Sequence, residues 1–163
     1  MGMVCGLTAV DESQINEFLT NPESYVEFLE EEVAGTHVYL DKAWHGIHFL
    51  LTGSEWEGEE PWCYLVKGGE EIGGEDHHYG PPRALRPNQI ADWANALSTI
   101  STEDLRKRFN PKAMMKADIY PSIWDRVVEE QGNLEYLLEY YEALRSFVER
   151  TKNENKGAII TLS

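Results

Sequence analysis

Cysteine is nearly absent from this chain of 163 residues: only Cys5 and Cys63 occur, each in apolar or aromatic company and neither in a CxxC pair. Two thiols so placed give no disulfide framework and read as reduced core residues of a cytoplasmic protein. Long apolar runs are missing as well. None approaches the roughly 20 residues that span a bilayer, so no membrane association is expected. The opening "MGMVCGLTAVDESQ" lacks the basic start and apolar stretch of a secretory signal. Its sixth residue is Gly, where the N-myristoylation pattern needs Ser or Thr. Cations are scarce: 14 Lys and Arg stand against 29 Asp and Glu, a net charge of −15. Phosphate backbones are repelled by such a surface, so no nucleic acid is expected. A basic protein partner, drawn in by electrostatic steering, suits it.

Signatures of common chemistries are missing too. Ser54 follows Gly53 but lacks the second glycine of G-x-S-x-G. The glycines at 68, 69, 73 and 74 carry no G-K-[ST], and Glu70, Glu71, Glu75 and Asp76 beside them repel phosphate. Cys63 and His48 have no spacing that makes a nucleophile and its base, and a cysteine between Trp62 and Tyr64 reads as packing.

What is present is a well-patterned globular chain, with 42% hydrophobic residues and 11% aromatics. Residues 2–10 mix small and β-branched side chains and predict a first strand. Asp11 and Gln14 form a capping box for a helix with Ile15, Phe18 and Leu19 on one face. Asn21-Pro22 restarts helix, with Tyr25, Val26, Leu29 and Val33 as its apolar stripe and Gly35 as its stop. Residues 36–40 are extended, residues 63–66 ("CYLV") form a second short extended element, and 67–83 is an acidic, glycine-rich loop. Helices start at Pro87 (with Ile90, Trp93, Ala94 and Leu97 inward), at Ser101 with Asp104, and at Asn110-Pro111. A short helix follows Tyr120-Pro121, with Trp124 in the core, and ends near Gly132. The last helix places Leu134, Leu137, Leu138, Tyr141, Leu144 and Val148 inward and Glu135, Glu139, Glu142 and Glu149 outward. Residues 157–163 form a closing strand whose natural neighbour is the first. The fold expected is α+β: one mostly helical domain over 1–163, with a small sheet containing the N- and C-terminal strands.

The densest stretch is "YLDKAWHGIHFLLTG", Tyr39 to Gly53. Asp41 stands where an N-cap belongs and Gly53 where a helix stops. Trp44, Ile47, His48 and Leu51 share one helical face, which predicts burial of Trp44 and His48 and leaves His45 more exposed. His48 is then either a core histidine bonded to a backbone carbonyl or a ligand-contacting base of lowered pKa. His45 and His48 are three apart, not the four of a metalloprotease helix, and no third ligand follows closely; no metal and no cofactor are expected. The second candidate is "DHHYGPPR". Here Tyr79 and Arg83 are the binding groups, unless Gly80-Pro81-Pro82 merely routes the chain and Arg83 pairs with a surface carboxylate.

"MGMV" at the start, Asp41, Lys42, Trp44, His48 and "LLTG" in the helix, "IYP" at 119–121 and the short closing strand together resemble the YfbM-like bacterial family, a group of unknown function. The resemblance spans essentially the whole chain, and the "DKAW…IH…LTG" helix is its specific part. It implies a small cytoplasmic α+β protein and brings no catalytic residues, cofactor or substrate. His45 stands outside the family's motif, and "YGPPR" belongs to some members only.

Two readings follow. In the first, the chain is an acidic interaction module, immunity- or regulator-like, that meets a basic protein partner. In the second, it is a small-molecule-binding protein or enzyme, with a pocket beside Trp44 and His48 to which Asp41, Tyr79 and Arg83 contribute. A cleft exposing His48 would favour the second; a filled core under an acidic face would favour the first.

Overall fold

β1 (Cys5–Val10) and β5 (Gly157–Leu162) lie antiparallel, from Cys5 opposite Leu162 to Val10 opposite Gly157, so the two ends of the chain pair as the sequence predicts. The computed structural model describes residues 2–30, 37–74, 80–126 and 132–163. Among them, β2 (His37–Asp41), β3 (Glu70–Glu71) and β4 (Arg83–Leu85) complete an antiparallel sheet in the order β2-β1-β5-β4-β3. The helices are α1 (Glu12–Thr20), α2 (Pro22–Glu30), α3 (Trp44–Thr52), α4 (Pro87–Leu97), α5 (Thr102–Arg108), α6 (Pro111–Lys116) and α7 (Gly132–Asn153). The fold is α+β.

Strand alternation divides the apolar residues between two cores. Cys5, Leu7, Val38, Leu40, Leu85, Ala158 and Ile160 point to one face. There they meet Trp44 and Ile47 of α3, Trp93 and Leu97 of α4, and Leu137, Tyr141, Leu144 and Phe147 of α7. The opposite face sends Val10, Ala84 and Ile159 against Ile15 and Phe18 of α1, Tyr25 of α2 and Ile72.

Capping follows local chemistry where the signals are local. Asp11 N–H donates to Gln14 Oε1 at 2.9 Å, Ser101 Oγ accepts from Asp104 N–H at 3.1 Å, and Asn110 Oδ1 accepts from Ala113 N–H at 3.2 Å. Gly53 adopts the left-handed conformation (φ 77°) that ends α3.

Several expectations are corrected. The first strand begins at Cys5, not residue 2, because the Met3 backbone bonds to side chains instead of a strand. On α2, only Tyr25 of the expected stripe is buried; Val26 and Leu29 are 55% and 60% exposed. Val33 and Gly35 lie outside the described residues. Residues 63–66 are not extended but part of a run of turns, with Val66 and Lys67 N–H both donating to Cys63 O. The 67–83 loop contributes β3 and leads into β4. Gly132, expected as a helix stop, is the first residue of α7; the short helix expected before it falls largely outside the described residues.

Candidate functional site

α3 is enclosed on nearly every side. Seven of its nine residues are buried, so it is a core helix and not an amphipathic one. Gly46 shows how close its neighbours are: a Cβ there would sit 2.8 Å from Leu137 Cδ2 and 3.0 Å from Trp124 Cη2. Its part-exposed residues, Phe49 and Thr52, follow His45 at i+4 and i+7 on one face, and there the Trp56 ring and the Tyr120 backbone cover the His45 ring. His45 is 1% exposed and His48 0%, which corrects the expectation that the two differ.

Each histidine is held differently. His45 Nδ1 accepts from the Tyr120 backbone N–H at 2.8 Å, so its Nε2 carries the proton and donates to Glu55 O, also at 2.8 Å. Both nitrogens are engaged by protein, and burial lowers its pKa. His48 Nε2 lies 3.3 Å from Thr52 Oγ1, whose own proton goes to His48 O at 2.9 Å. Nε2–H is therefore the donor, and buried Nδ1 has no partner. Burial, reinforced by His45 nearby, pushes the His48 pKa down to about 4. Both rings are neutral at neutral pH.

Around this pair runs an aromatic column. Trp44 stacks on His45 at 5.0 Å between centroids, and Tyr120 on Trp44 at 5.9 Å. His45 stacks on Trp56 at 4.4 Å with planes 30° apart. Trp56 is the surface end of the column, 46% exposed. It sits in the 53–60 loop among exposed Glu55, Glu57, Glu59 and Glu60. The loop is pinned: Ser54 N–H donates to Thr52 Oγ1 at 3.2 Å, Glu57 N–H to Ser54 Oγ at 3.1 Å, and Lys67 Nζ to Glu57 Oε2 at 2.6 Å.

Asp41 is not the cap of α3; Ala43 is. Asp41 ends β2 at a positive φ of 49°, beside a register shift between Cys5 and Gly6. Its carboxylate accepts Tyr136 O–H at 2.6 Å and Tyr39 O–H at 3.1 Å, while Lys42 N–H donates to Tyr136 Oη at 3.1 Å. These bonds, the Tyr136 one foremost, hold its pKa below the usual carboxylate value. Asp41 thus latches β2 to α7.

Met3 closes a second latch. Its N–H donates to Tyr120 Oη at 2.8 Å, and Trp44 Nε1–H donates to its carbonyl at 3.0 Å. Gly2 and Met3, "DKAW" and "IYP", far apart in the chain, meet here. A Cβ on Gly2 would fall 2.6 Å from Lys42 Cε and closer still to Tyr120 Oη, so a larger residue there would have to displace both side-chain ends.

Arg83 lies on β4, away from this cluster. Among the described residues it pairs with no surface carboxylate; its Nη1 and Nη2 donate to Gly68 O at 3.0 Å and Leu65 O at 3.1 Å. Tyr79 is outside the described residues. Cys5 and Cys63 are buried free thiols, and burial raises both pKa values, that of Cys5 to about 12. Neither is a thiolate at neutral pH. Among the described residues, no three His, Cys, Asp or Glu side chains are grouped to hold a metal ion, and no helix is long and apolar enough to cross a membrane. The structure therefore buries Trp44 and His48 in the core, while half-buried Asp41 is tied to Tyr136 and Tyr39 instead. Trp56 was missed; its signal was an exposed-looking aromatic inside "SEWEGEEP".

A family profile described as a domain of unknown function, DUF1877, matches residues 1–161. The chain is 26% identical over 128 residues to Protein YfbM of Escherichia coli K12, covering 76% of this chain and 75% of that one. The crystal structure of YfbM from Escherichia coli, described as a protein of unknown function, superposes with a TM-score of 0.76 at 21% identity. It covers 98% of this chain and 99% of its own. At that identity the superposition speaks for the fold alone.

Proposed function

Since the chain belongs to the DUF1877 family, which carries no activity in its description, we propose that it is an acidic interaction module that grips a basic protein partner through Trp56. The observation carrying this reading is the exposed indole, fixed flat against a buried histidine and surrounded by glutamates. A ring already immobilised loses little rotamer freedom on binding. A guanidinium laid on its outer face gains about 0.5–2 kcal/mol depending on how far it is desolvated. Rigid aromatic side chains of this kind are the usual hot spots of interfaces. The neighbouring carboxylates, with a net charge of −15 behind them, draw in a basic partner and set its orientation. The two reduced thiols suit a cytoplasmic setting, as an immunity- or regulator-like module would have.

A pocket beside Trp44 and His48 is the less favoured reading, because both rings are buried. The distinguishing experiment is affinity capture from source-cell lysate on immobilised wild-type protein, Trp56→Ala, and a Glu55→Gln, Glu59→Gln, Glu60→Gln variant. The expected result is a basic protein retained by the wild type, released by salt, and lost from both variants. A neutral or acidic protein held in high salt, or retention unaffected by Trp56→Ala, would contradict the proposal.

A further inference from the structure

Away from the Trp56 loop, at the β3–β4 end of the sheet, a cavity of about 130 Å³ is walled by Val66, Pro81, Ile160 and Leu162, with Arg83 and Glu71 as its charged side chains. Glu71 and Arg83 are direct cross-strand partners. Side chains so placed stand on one face of the sheet and ordinarily close on each other as an ion pair. Here they do not: among the described residues no carboxylate oxygen lies within the 4.0 Å of an ion pair with Arg83, and the opposite charges face a shared space. Arg83 is held from behind, Nη1 and Nη2 each donating to a backbone carbonyl of the 65–68 turn. The fork is thereby aimed while the remainder of its five N–H donors stays available. A half-buried guanidinium with no anion among the described residues is an incomplete arrangement.

We propose that this cavity binds a small aliphatic α-amino acid as its zwitterion. The ligand carboxylate meets Arg83, the ammonium meets Glu71, and the side chain packs on Val66, Pro81, Ile160 and Leu162. Size agrees, since a cavity near 150 Å³ holds about six heavy atoms; alanine, with six, is the matching size, and valine, with eight, tests the upper end. A simple carboxylate would satisfy Arg83 but face Glu71 unpaired, and a simple amine the reverse, so the site asks for both charges in one small ligand. This reading is independent of Trp56, which does not line the cavity.

The test is a methyl-resolved NMR titration of the full chain with L-alanine and L-valine, and separately with isobutyrate and isobutylamine. Concentrations of roughly 10 mM reach well past a millimolar Kd. Saturable shifts of the Val66, Ile160 and Leu162 methyl groups with the amino acids, and at least about tenfold weaker binding of the two single-charge probes, are expected. Glu71→Gln, at an exposed site, should weaken L-valine binding about tenfold while leaving the folded spectrum intact. Arg83→Met should abolish binding; if loss of the turn contacts unfolds it, Glu71→Gln decides. Trp56→Ala should leave binding unchanged. Absence of saturable shifts, equal binding of isobutyrate, or no effect of Glu71→Gln would overturn the proposal and leave Arg83 as a brace of the 65–68 turn.

Discussion

Acidification should destabilise this fold in a window set by His48. The ring is fully buried, with one nitrogen unpartnered, and its pKa stands at about 4 against an ordinary value of 6.5. A base whose pKa is depressed by folding binds protons more readily in the unfolded chain. The stability it contributes is therefore complete above the unfolded pKa and is lost as pH falls through the folded one. Between pH 7.5 and pH 5 those two values give a loss of about 2 kcal/mol, and the full difference is worth about 3 kcal/mol. His45 acts in the same direction. Relief of the −15 net charge works the other way, since protonating carboxylates reduces self-repulsion. The depressed carboxylate of Asp41 enters only at lower pH. Urea melts followed by tryptophan fluorescence at pH 7.5, 6 and 5 measure the slope, and His48→Leu removes the titrating group while keeping an apolar side chain in place. The variant should show a visibly flatter profile between pH 7.5 and 5. A wild-type profile that is flat there, or a variant slope equal to the wild type's, would refute the reasoning.

His45→Ala should cost about 2–3 kcal/mol, because it strands the Tyr120 N–H and the Glu55 carbonyl in a buried setting; thermal melts check this. Trp44→Ala should cost about 3–5 kcal/mol by emptying a core site, and a smaller loss than for His45→Ala would contradict the packing described. Tyr136→Phe should cost about 1–2 kcal/mol and raise the Asp41 pKa, since the Tyr136 hydroxyl is the largest influence holding that carboxylate down. An NMR titration of the Asp41 carboxyl should show the rise, and an unmoved value would mean that Tyr39 and Lys42 suffice.

Signals confined to a few residues were readable in the sequence. The boxes at Asp11 and Ser101, the cap at Asn110, the stop at Gly53, the stripe of α7 and the pairing of the terminal strands all rest on local chemistry or on plain periodicity. Asp41 misled because a cap residue before an apolar run looks the same whether the helix starts at once or after a β-strand end and a turn; Tyr136, 95 residues away, made the difference. His45 misled because it does share a face with the part-exposed Phe49 and Thr52, and what covers it there is the Trp56 ring from the following loop, which helical periodicity does not report. Arg83 stood out in the sequence as a lone cation amid acid, but its strand and its carbonyl partners depend on the fold around it. Trp56 carried the weakest signal: a loop tryptophan has no periodicity, and its stacking on His45 follows only from where α3 ends.

The most direct measurement is an NMR titration that follows the Trp56 indole N–H, assigned with Trp56→Phe, as an arginine-rich peptide is added at low and then high salt. The Trp56 resonance should move first and saturably, the affinity should fall as salt rises, and a glutamate-rich peptide should have no effect. An indole signal that stays still while other surface residues shift, or binding indifferent to salt, would contradict a Trp56-centred acidic interaction site.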